Sequence, residues 1–381
     1  MNFRNVMMGV GVVFATVYNC LNVNAKEAVW AENLAVAITK VEQYVENTYP
    51  VNSTSRRLQK KNLERILQSK QSEAQKISEL RNKFPDAFSG PEELNEAKSQ
   101  GVKFSTDGKT LKHCPARISS LIIPSCVTEI GRNAFRASKL QSVTIPNSVT
   151  KIGDNAFYGC GLRNVIIPDS VTEIGYNAFK RCHLLQSVTI SNSVTKISDG
   201  AFENCKSLQS VTISNSVTKI GYNVFYGCES LQSVTIPNSV TTIDSSAFYG
   251  CRNLQSVTIP NSVTTIGDSA FAGVWKVEVA NNHPVFVNDE SGALIDLKHS
   301  KLYHFPSNYQ GSYKVPSGVT AIGSHAFYSC GSLRNVIIPD SVTEIGRSAF
   351  YDCTNLQSLE IPESCRGSIA PLPLKCKVIR R

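Results

Sequence analysis

Charge is scarce in this 381-residue sequence, because Asp, Glu, Lys and Arg together make up only 18% of it, against about a quarter in typical domains. A disordered chain combines much charge with few apolar residues, whereas 41% of the residues here are hydrophobic. The composition therefore predicts a folded protein. The net charge of +9 is modest and dispersed, so we expect no nucleic-acid partner.

Long apolar runs are also missing. No stretch reaches the roughly 18 residues that a transmembrane helix needs, so we expect no transmembrane segment in the mature chain. A shorter apolar run, Val6–Tyr18, follows Arg4 and precedes Val23-Asn24-Ala25, where signal peptidase would cut. This pattern predicts a signal peptide over residues 1–25 and an exported protein, secreted or held at the cell surface. Two alternatives stay open, an N-terminal core helix and a lipoprotein modified at Cys20.

Residues 26–100 have a helical pattern. Apolar residues recur at three- and four-residue steps from Trp30 to Val45, and a second stripe runs from Leu63 to Leu80, so we expect a helical hairpin or short stalk. The second helix carries a basic cluster of Arg56, Arg57, Lys60, Lys61 and Arg65. This cluster fits contact with an anionic envelope or partner, but acidic residues are interleaved, which favours an ordinary solvated helix face.

The remainder of the chain is an internal repeat, which decides the fold. Segments such as Leu140–Pro146 recur as Leu231–Pro237 and Leu254–Pro260, each followed by a turn and an Ala-Phe pair. The repeat phenylalanines are 22 or 23 residues apart, except for one step of 56 between the seventh and the eighth. They are Phe135, Phe157, Phe179, Phe202, Phe225, Phe248, Phe271, Phe327 and Phe350.

One repeat has a simple physical interpretation. Leu140–Ile145 alternates apolar and polar residues, as a short strand does, and Pro146 ends it because proline cannot donate to a ladder. Val149–Ile152 is a second extended piece. Gly153 is expected to adopt a backbone conformation that other residues rarely adopt. Ala156-Phe157 returns the chain on a helical turn. Such a unit buries its apolar residues only against stacked copies, which predicts a solenoid.

The repeat Leu-x-x-Val-x-Ile-Pro-x-Ser-Val-Thr-x-Ile-Gly-x-x-Ala-Phe-x-x-Cys resembles the BspA-like leucine-rich repeat of bacterial surface proteins and some protists. The resemblance covers residues 101–365 and implies a leucine-rich repeat solenoid over 101–381, mainly β with short helical turns, after a small α-helical segment. It also implies a hairpin insert, which we place at 275–316 with its turn at Asp289–Gly292.

A second such hairpin is expected near Asp107-Gly108, a pair typical of hairpin turns. Because both edges of a solenoid need covering, we place an N-terminal hairpin cap at 101–118 and a C-terminal cap at 363–381.

Seven of the twelve cysteines share one repeat position. Stacked neighbours there fall within the disulfide range of Cα distances, about 4.4–6.8 Å, but their side chains point the same way. We therefore expect a buried ladder of free thiols, which Ser138 and Val274 at the same position support. Cys365 and Cys376, outside the ladder, are the best candidates for a disulfide, and Cys114 with Cys126 is a weaker pair. The ladder residues are Cys160, Cys182, Cys205, Cys228, Cys251, Cys330 and Cys353.

No catalytic or metal-binding motif is recognisable in the sequence. There is no His-Glu-x-x-His, no glycine-rich phosphate loop and no Cys-x-x-Cys with a histidine pair for zinc. Gly267-Asp268-Ser269 resembles the start of a serine-esterase motif, but it is the corner of one repeat, which favours a chance match. We expect no enzyme, no cofactor and no metal, with a hydrolase of unrecognised site as a remote alternative.

The outward strand positions are the natural binding surface of a solenoid. The candidate partner-binding residues there are Ser142, Thr144, Ser187, Thr189, Ser210, Thr212, Ser233, Thr235, Ser256 and Thr258. A second row follows the Phe ladder and consists of Tyr158, Tyr226, Tyr249, Tyr328 and Tyr351; it is either a binding row or a solvated structural edge.

The family resemblance implies adhesion, so the sequence predicts a non-enzymatic interaction protein that binds a protein or glycoprotein ligand. The alternative is a structural envelope or spacer protein that self-associates through residues 26–100.

Overall fold

The structure is a computed structural model that describes residues 54–69, 91–367 and 369–381, with shorter stretches at 34–35, 37–43, 45–46, 75–76, 79–80 and 83. The predicted leader, residues 1–25, lies outside the described residues. The described residues form two compact units. One holds the residues up to Gly101 together with Ile122–Val127 and Thr144–Ser148, and the other holds the remainder.

The first unit contains the helices α1 (Thr54–Gln68) and α2 (Pro91–Ser99). Their sequences lack β-branched runs, and Pro91 suits the first helical position because its missing N–H is unpaired there in any helix. The Glu93 carboxylate accepts hydrogen bonds from the Ser125 amide at 3.0 Å and hydroxyl at 3.2 Å. The small core of this unit comprises Ala37, Val41, Val45, Leu63, Ile66 and Leu80. The predicted helical segment before the repeats is confirmed.

The second unit holds most of a solenoid of about twelve turns, in which each turn contributes two short parallel strands. The first series is β3 (Ser120–Ile122), β5 (Ser142–Thr144), β7 (Asn164–Ile167), β9 (Ser187–Ile190), β11 (Ser210–Thr212), β13 (Ser233–Thr235), β15 (Val257–Ile259), β17 (Val277–Val279), β21 (Gly311–Lys314), β23 (Leu333–Ile337), β25 (Ser358–Ile361) and β27 (Lys377–Arg380).

The second series of strands lies at the other extended piece of each repeat. It is β2 (Thr110–His113), β4 (Glu129–Ile130), β6 (Lys151–Ile152), β8 (Glu173–Ile174), β10 (Lys196–Ile197), β12 (Lys219–Ile220), β14 (Thr242–Ile243), β16 (Thr265–Ile266), β20 (Lys301–His304), β22 (Ala321–Ile322), β24 (Glu344–Ile345) and β26 (Arg366–Gly367). The strands of each series that pair do so in parallel, as in β7-β9-β11-β13 and β20-β22-β24-β26.

Three strands belong to hairpins instead. β1 (Lys103–Phe104) pairs antiparallel with β2 around the turn at Asp107-Gly108. β18 (Phe286–Asn288) and β19 (Leu294–Asp296) form the insert hairpin, and β19 then pairs antiparallel with β20. At the C-terminal end, β26 and β27 continue the two parallel series for one more turn.

The core is a set of stacked ladders that follows from the repeat register. The repeat phenylalanines are buried, and neighbouring rings from Phe135 to Phe271 stack with centroids 4.8–5.7 Å apart. The 56-residue step contains one further turn, in which Phe305 takes the ladder position 5.0 Å from Phe327. The predicted leucine-rich repeat solenoid is confirmed.

The corner glycine has a different role from the expected one. The expectation that Gly153 adopts an unusual backbone angle is wrong, since its φ is not positive, and the positive-φ position is Asn155, at 52°. A Cβ on Gly153 would lie 2.9 Å from the Ile130 carbonyl oxygen of the preceding turn. Glycine is required there because the backbones of stacked turns approach closely.

Candidate functional site

Two rows of outward hydroxyls cross the strands β9, β11 and β13, and we call them the hydroxyl rows. Alternation along each strand buries the central valine and presents its two neighbours, and parallel pairing sets equivalent residues about 4.8 Å apart. Among these residues Ser187 is half-buried and the others are exposed. The paired residues are Ser187, Ser210 and Ser233 in one row, and Thr189, Thr212 and Thr235 in the other.

The N-terminal end of the rows is less accessible. Ser142 is half-buried and donates a hydrogen bond to the Ser120 hydroxyl at 2.9 Å. Thr144 is 5% exposed, so it does not lie on the exposed face that the sequence pattern assigns to it. The physical reason is its location, since Thr144–Ser148 belong to the same compact unit as the helices.

The other end of the rows reaches the insert. Ser256 and Thr258 are exposed, and Thr258 is in register with Glu278 of β17. Within the rows, Ser187 donates to the side-chain oxygen of Asn164 at 2.7 Å. The side chains of Ser210 and Ser233 are exposed, so their hydroxyls are accessible to a partner.

The tyrosine row is a continuous series of ring contacts at its C-terminal end, stacked at Tyr226–Tyr249 and Tyr328–Tyr351 but tilted by 51° at Tyr249–Tyr328. Ring centroids lie 4.9 Å apart for Tyr226–Tyr249, 4.9 Å for Tyr249–Tyr328 and 5.7 Å for Tyr328–Tyr351. Between Tyr249 and Tyr328 in the repeat register, the Phe271 turn carries Ala272 at the row position and the interrupted turn carries no tyrosine either. Burial and the hydrogen bond to Tyr328 raise the pKa of Tyr249 above its usual range. Tyr351 is exposed, whereas Tyr226 and Tyr249 are half-buried.

Two tyrosines of the row are less suited to a partner. Tyr328 is 6% exposed, and its hydroxyl accepts a hydrogen bond from Arg252 at 3.1 Å, so it is mainly a packing residue. Tyr158 lies apart from the stack, with the Arg136 guanidinium 4.8 Å from its ring centroid. Tyr328 and Tyr158 therefore make contacts within the solenoid, and a partner-binding role for the row stays a prediction.

Ser269 and His325 meet beside the interrupted turn, a proximity that the sequence does not reveal. The Ser269 Oγ lies 2.9 Å from Nδ1 of His325 and 3.2 Å from the Ser324 carbonyl oxygen. A serine–histidine pair is one element of nucleophilic catalysis. However, Ser269 is only 8% exposed, and burial lowers the pKa of His325. We interpret the pair as a hydrogen-bonded link between two corners, both with positive φ.

A groove of about 760 Å³ lies between the insert hairpin and β17. Its lining is mixed, with polar and apolar surface in similar amounts, and includes Thr258, residues of the β18–β19 turn and Tyr309. The 56-residue step between Phe271 and Phe327 is the sequence signal that points to this region, but it does not indicate which residues line a groove.

The ladder cysteines are buried and free. From Cys160 to Cys251, each thiol donates to a phenylalanine carbonyl oxygen of the preceding turn, at 2.8–3.3 Å. Burial raises the pKa of the Cys160 thiol to about 11, so it stays protonated near neutral pH. Cys365 is buried, Cys376 is half-buried, and both are free thiols in the structure.

Among the described residues, no group of three or more His, Cys, Asp and Glu side chains is placed to hold a metal ion. None of the helices described there has the length and apolar character needed to cross a membrane.

The comparisons with known proteins agree with this architecture. The BspA type leucine rich repeat region (6 copies) matches residues 85–186, 107–230, 173–284 and 300–369. A crystal structure of a leucine rich cell surface protein from Faecalibacterium prausnitzii A2-165 is 32% identical, with a TM-score of 0.61, and covers 69% of this chain and 81% of its own.

A leucine-rich repeat protein from Bacteroides ovatus ATCC 8483 is 25% identical, with a TM-score of 0.48, over 73% of this chain and 81% of its own. No curated protein matches the chain. The matched repeat region extends over more than half of the sequence, and the chain belongs to the BspA-type leucine-rich repeat family.

Proposed function

We propose that this protein is an exported, non-enzymatic interaction protein that binds a protein or glycoprotein partner through its hydroxyl rows. The observation that carries the proposal is the register of β9, β11 and β13, which repeats two outward hydroxyl positions over three consecutive turns, with Ser187 half-buried and the others exposed. Identical weak contacts repeated at a fixed spacing can add up to useful avidity on an extended partner.

Three further observations support this function. Ser269, the hydroxyl partner of half-buried His325, is itself buried and is not open to a substrate. The similar protein from F. prausnitzii is named as a cell surface protein, and the pattern over residues 1–25 is that of an export signal. Export therefore forms part of the proposal.

The test is a pull-down with the full chain from solubilised animal-cell surface glycoproteins. The test variant replaces Thr189, Thr212 and Thr235 with Lys. Its matched control replaces Thr195, Thr218 and Thr241, which are exposed in the same three repeats but outside the hydroxyl rows. Both variants place three like charges on neighbouring turns, so they carry similar repulsion.

We expect a partner that the original chain and the control retain and the test variant loses. Equal retention by both variants would contradict recognition by the hydroxyl rows. Recovery of this protein alone would instead favour the spacer that self-associates through residues 26–100.

A further inference from the structure

Side-chain hydrogen bonds of Asn288 fix one wall of the groove beside the insert. The Asn288 side chain accepts a hydrogen bond from the Val279 amide at 2.9 Å and donates to the carbonyl oxygen of Val277 at 2.8 Å. It also donates to the Gly292 carbonyl oxygen at 3.3 Å. One amide thus joins the end of β18 to β17 and to the hairpin turn, which fixes one wall of the groove before any ligand arrives.

The Asp289 carboxylate holds the hairpin turn in place through hydrogen bonds. One carboxylate oxygen accepts the amides of Ser291 and Ala293, both at 2.9 Å, and the other accepts the Tyr313 hydroxyl at 2.7 Å. The carboxylate is therefore occupied by structural bonds, and the turn keeps its position relative to β21, where Tyr313 is buried.

The same contacts argue against an extended peptide in this groove. A peptide that added to β17 would need the free N–H and C=O groups of the strand edge. Asn288 already bonds the Val277 carbonyl and the Val279 amide. Backbone pairing at that edge is thus blocked, and recognition has to use side chains.

The side chains that remain suit a ligand rich in hydroxyl groups. Asn281, Glu290 and Asn308 line the groove and are exposed, and amides and carboxylates both bond hydroxyls. Tyr309 adds an aromatic surface fixed by a T-shaped contact with Phe305 at 4.9 Å. The volume of about 760 Å³ lies within the usual range of about 300–1,000 Å³ for ligand sites.

The charges of the groove select against anions. Lys276 is paired with Glu278 at 2.5 Å, while Asp289 and Glu290 add two negative charges. We propose that this groove binds a neutral oligosaccharide, with Asn281, Glu290 and Asn308 bonding its hydroxyls and Tyr309 under a sugar ring. The inference goes beyond the proposed function, since Thr258 is the single candidate strand-face residue among the groove-lining residues.

The experiment applies the full chain to an array of neutral gluco-, manno- and galacto-oligosaccharides, with sialylated and sulfated oligosaccharides beside them. The test variant is Asn281→Ala with Asn308→Ala, and the matched control is Asn238→Ala, an exposed asparagine outside the groove. The variant with Lys at positions 189, 212 and 235 separates this site from the hydroxyl rows.

We expect binding to neutral oligosaccharides that falls at least tenfold in the Asn281/Asn308 variant and persists in Asn238→Ala and in the Lys variant. Preference for the anionic oligosaccharides, equal binding by the groove variant, or no binding to the array would overturn the proposal. Loss in the Lys variant alone would overturn the groove proposal and place recognition on the hydroxyl rows. The two proposals can therefore fail separately.

Discussion

The thiol of Cys205 donates a hydrogen bond to the carbonyl oxygen of Phe179, 3.1 Å away in the preceding turn, and both residues are fully buried. The same relationship recurs at Cys182 and Phe157, at 3.0 Å. The ladder thiols therefore work as small apolar residues that also satisfy backbone acceptors. Burial raises the pKa of Cys205 well above its ordinary value, which suppresses the reactive thiolate.

The first prediction concerns thiol reactivity. In the folded protein, iodoacetamide should modify exposed Cys126 readily and half-buried Cys376 more slowly, while Cys205 should remain unmodified. Peptide mapping by mass spectrometry measures each site, and unfolding in denaturant should make all of them reactive. Modification of folded Cys205 as fast as Cys126 would contradict the ladder. The same map without reductant tests the predicted Cys365–Cys376 disulfide.

A second prediction concerns the Phe ladder. Phe225 is fully buried between Phe202 and Phe248, with ring centroids 5.7 and 5.3 Å away, so Phe225→Ala should cost about 3–5 kcal/mol through the cavity it leaves. Tyr226→Ala should cost about 0.5–1.5 kcal/mol, because that ring is half-buried and loses mainly its stacking with Tyr249. Urea unfolding compares the two variants, and equal losses would refute the assignment of inner and outer rows.

A third prediction uses two glycines with opposite surroundings. A Cβ on Gly175 would lie 2.7 Å from the Gly153 carbonyl carbon, whereas a Cβ on Gly318 meets no atom within 4 Å among the described residues. Gly175→Ala should therefore destabilise by about 1–3 kcal/mol through forced backbone shifts, and Gly318→Ala should be close to neutral. Thermal unfolding distinguishes them, and a neutral Gly175→Ala would show that the turns are not stacked this closely.

The Phe ladder and the hairpin at Asp107-Gly108 were predictable because each depends on a local pattern, either the alternation within a strand or a turn pair. The role of Gly153 was not predictable in this way. It depends on the distance to the next turn, which is set by stacking rather than by the residue's own conformation.

The functional features follow the same division. The exposed positions Thr212 and Thr235 were predictable from alternation alone, but the burial of Thr144 depends on which compact unit it joins. The groove beside the insert arises where one turn departs from the repeat, and the contact of Tyr249 with Tyr328 depends both on that turn and on Ala272 in the turn before it. A departure erases the pattern that makes the other turns predictable, so the residues that meet there have to be seen in the structure.

A fourth prediction concerns acid stability. Burial lowers the pKa of His304 to about 3, against about 6.5 in an unfolded chain, and its Nε2 has no hydrogen-bond partner in the described part of the chain. Below pH 6.5 the unfolded state binds a proton that the folded state excludes. The contribution of His304 to stability is therefore complete above that pH and falls by about 1.4 kcal/mol per unit as pH decreases toward 3.

The check is the slope of unfolding free energy against pH between 6.5 and 4.5, a window above the range in which most carboxylates titrate. His304→Leu should reduce this slope, and His113→Leu, at an exposed position, serves as the control. The pKa values of His283 and His325 are also lowered mainly by burial. Both variants should therefore retain part of the pH dependence of the unfolding free energy. Identical slopes for the original chain and His304→Leu would rule out the role of His304.

The central claim, that a partner lies on the hydroxyl rows, is tested most directly by site-specific photocrosslinking. A photoreactive amino acid at Thr212 would face the partner, and the same amino acid at Thr218, exposed six residues later, would not. The full chain is irradiated with solubilised animal-cell surface glycoproteins, and the adducts are identified by mass spectrometry. We predict a partner adduct from position 212 and none from position 218. Adducts from position 218 alone, or equal yields from both, would contradict the claim.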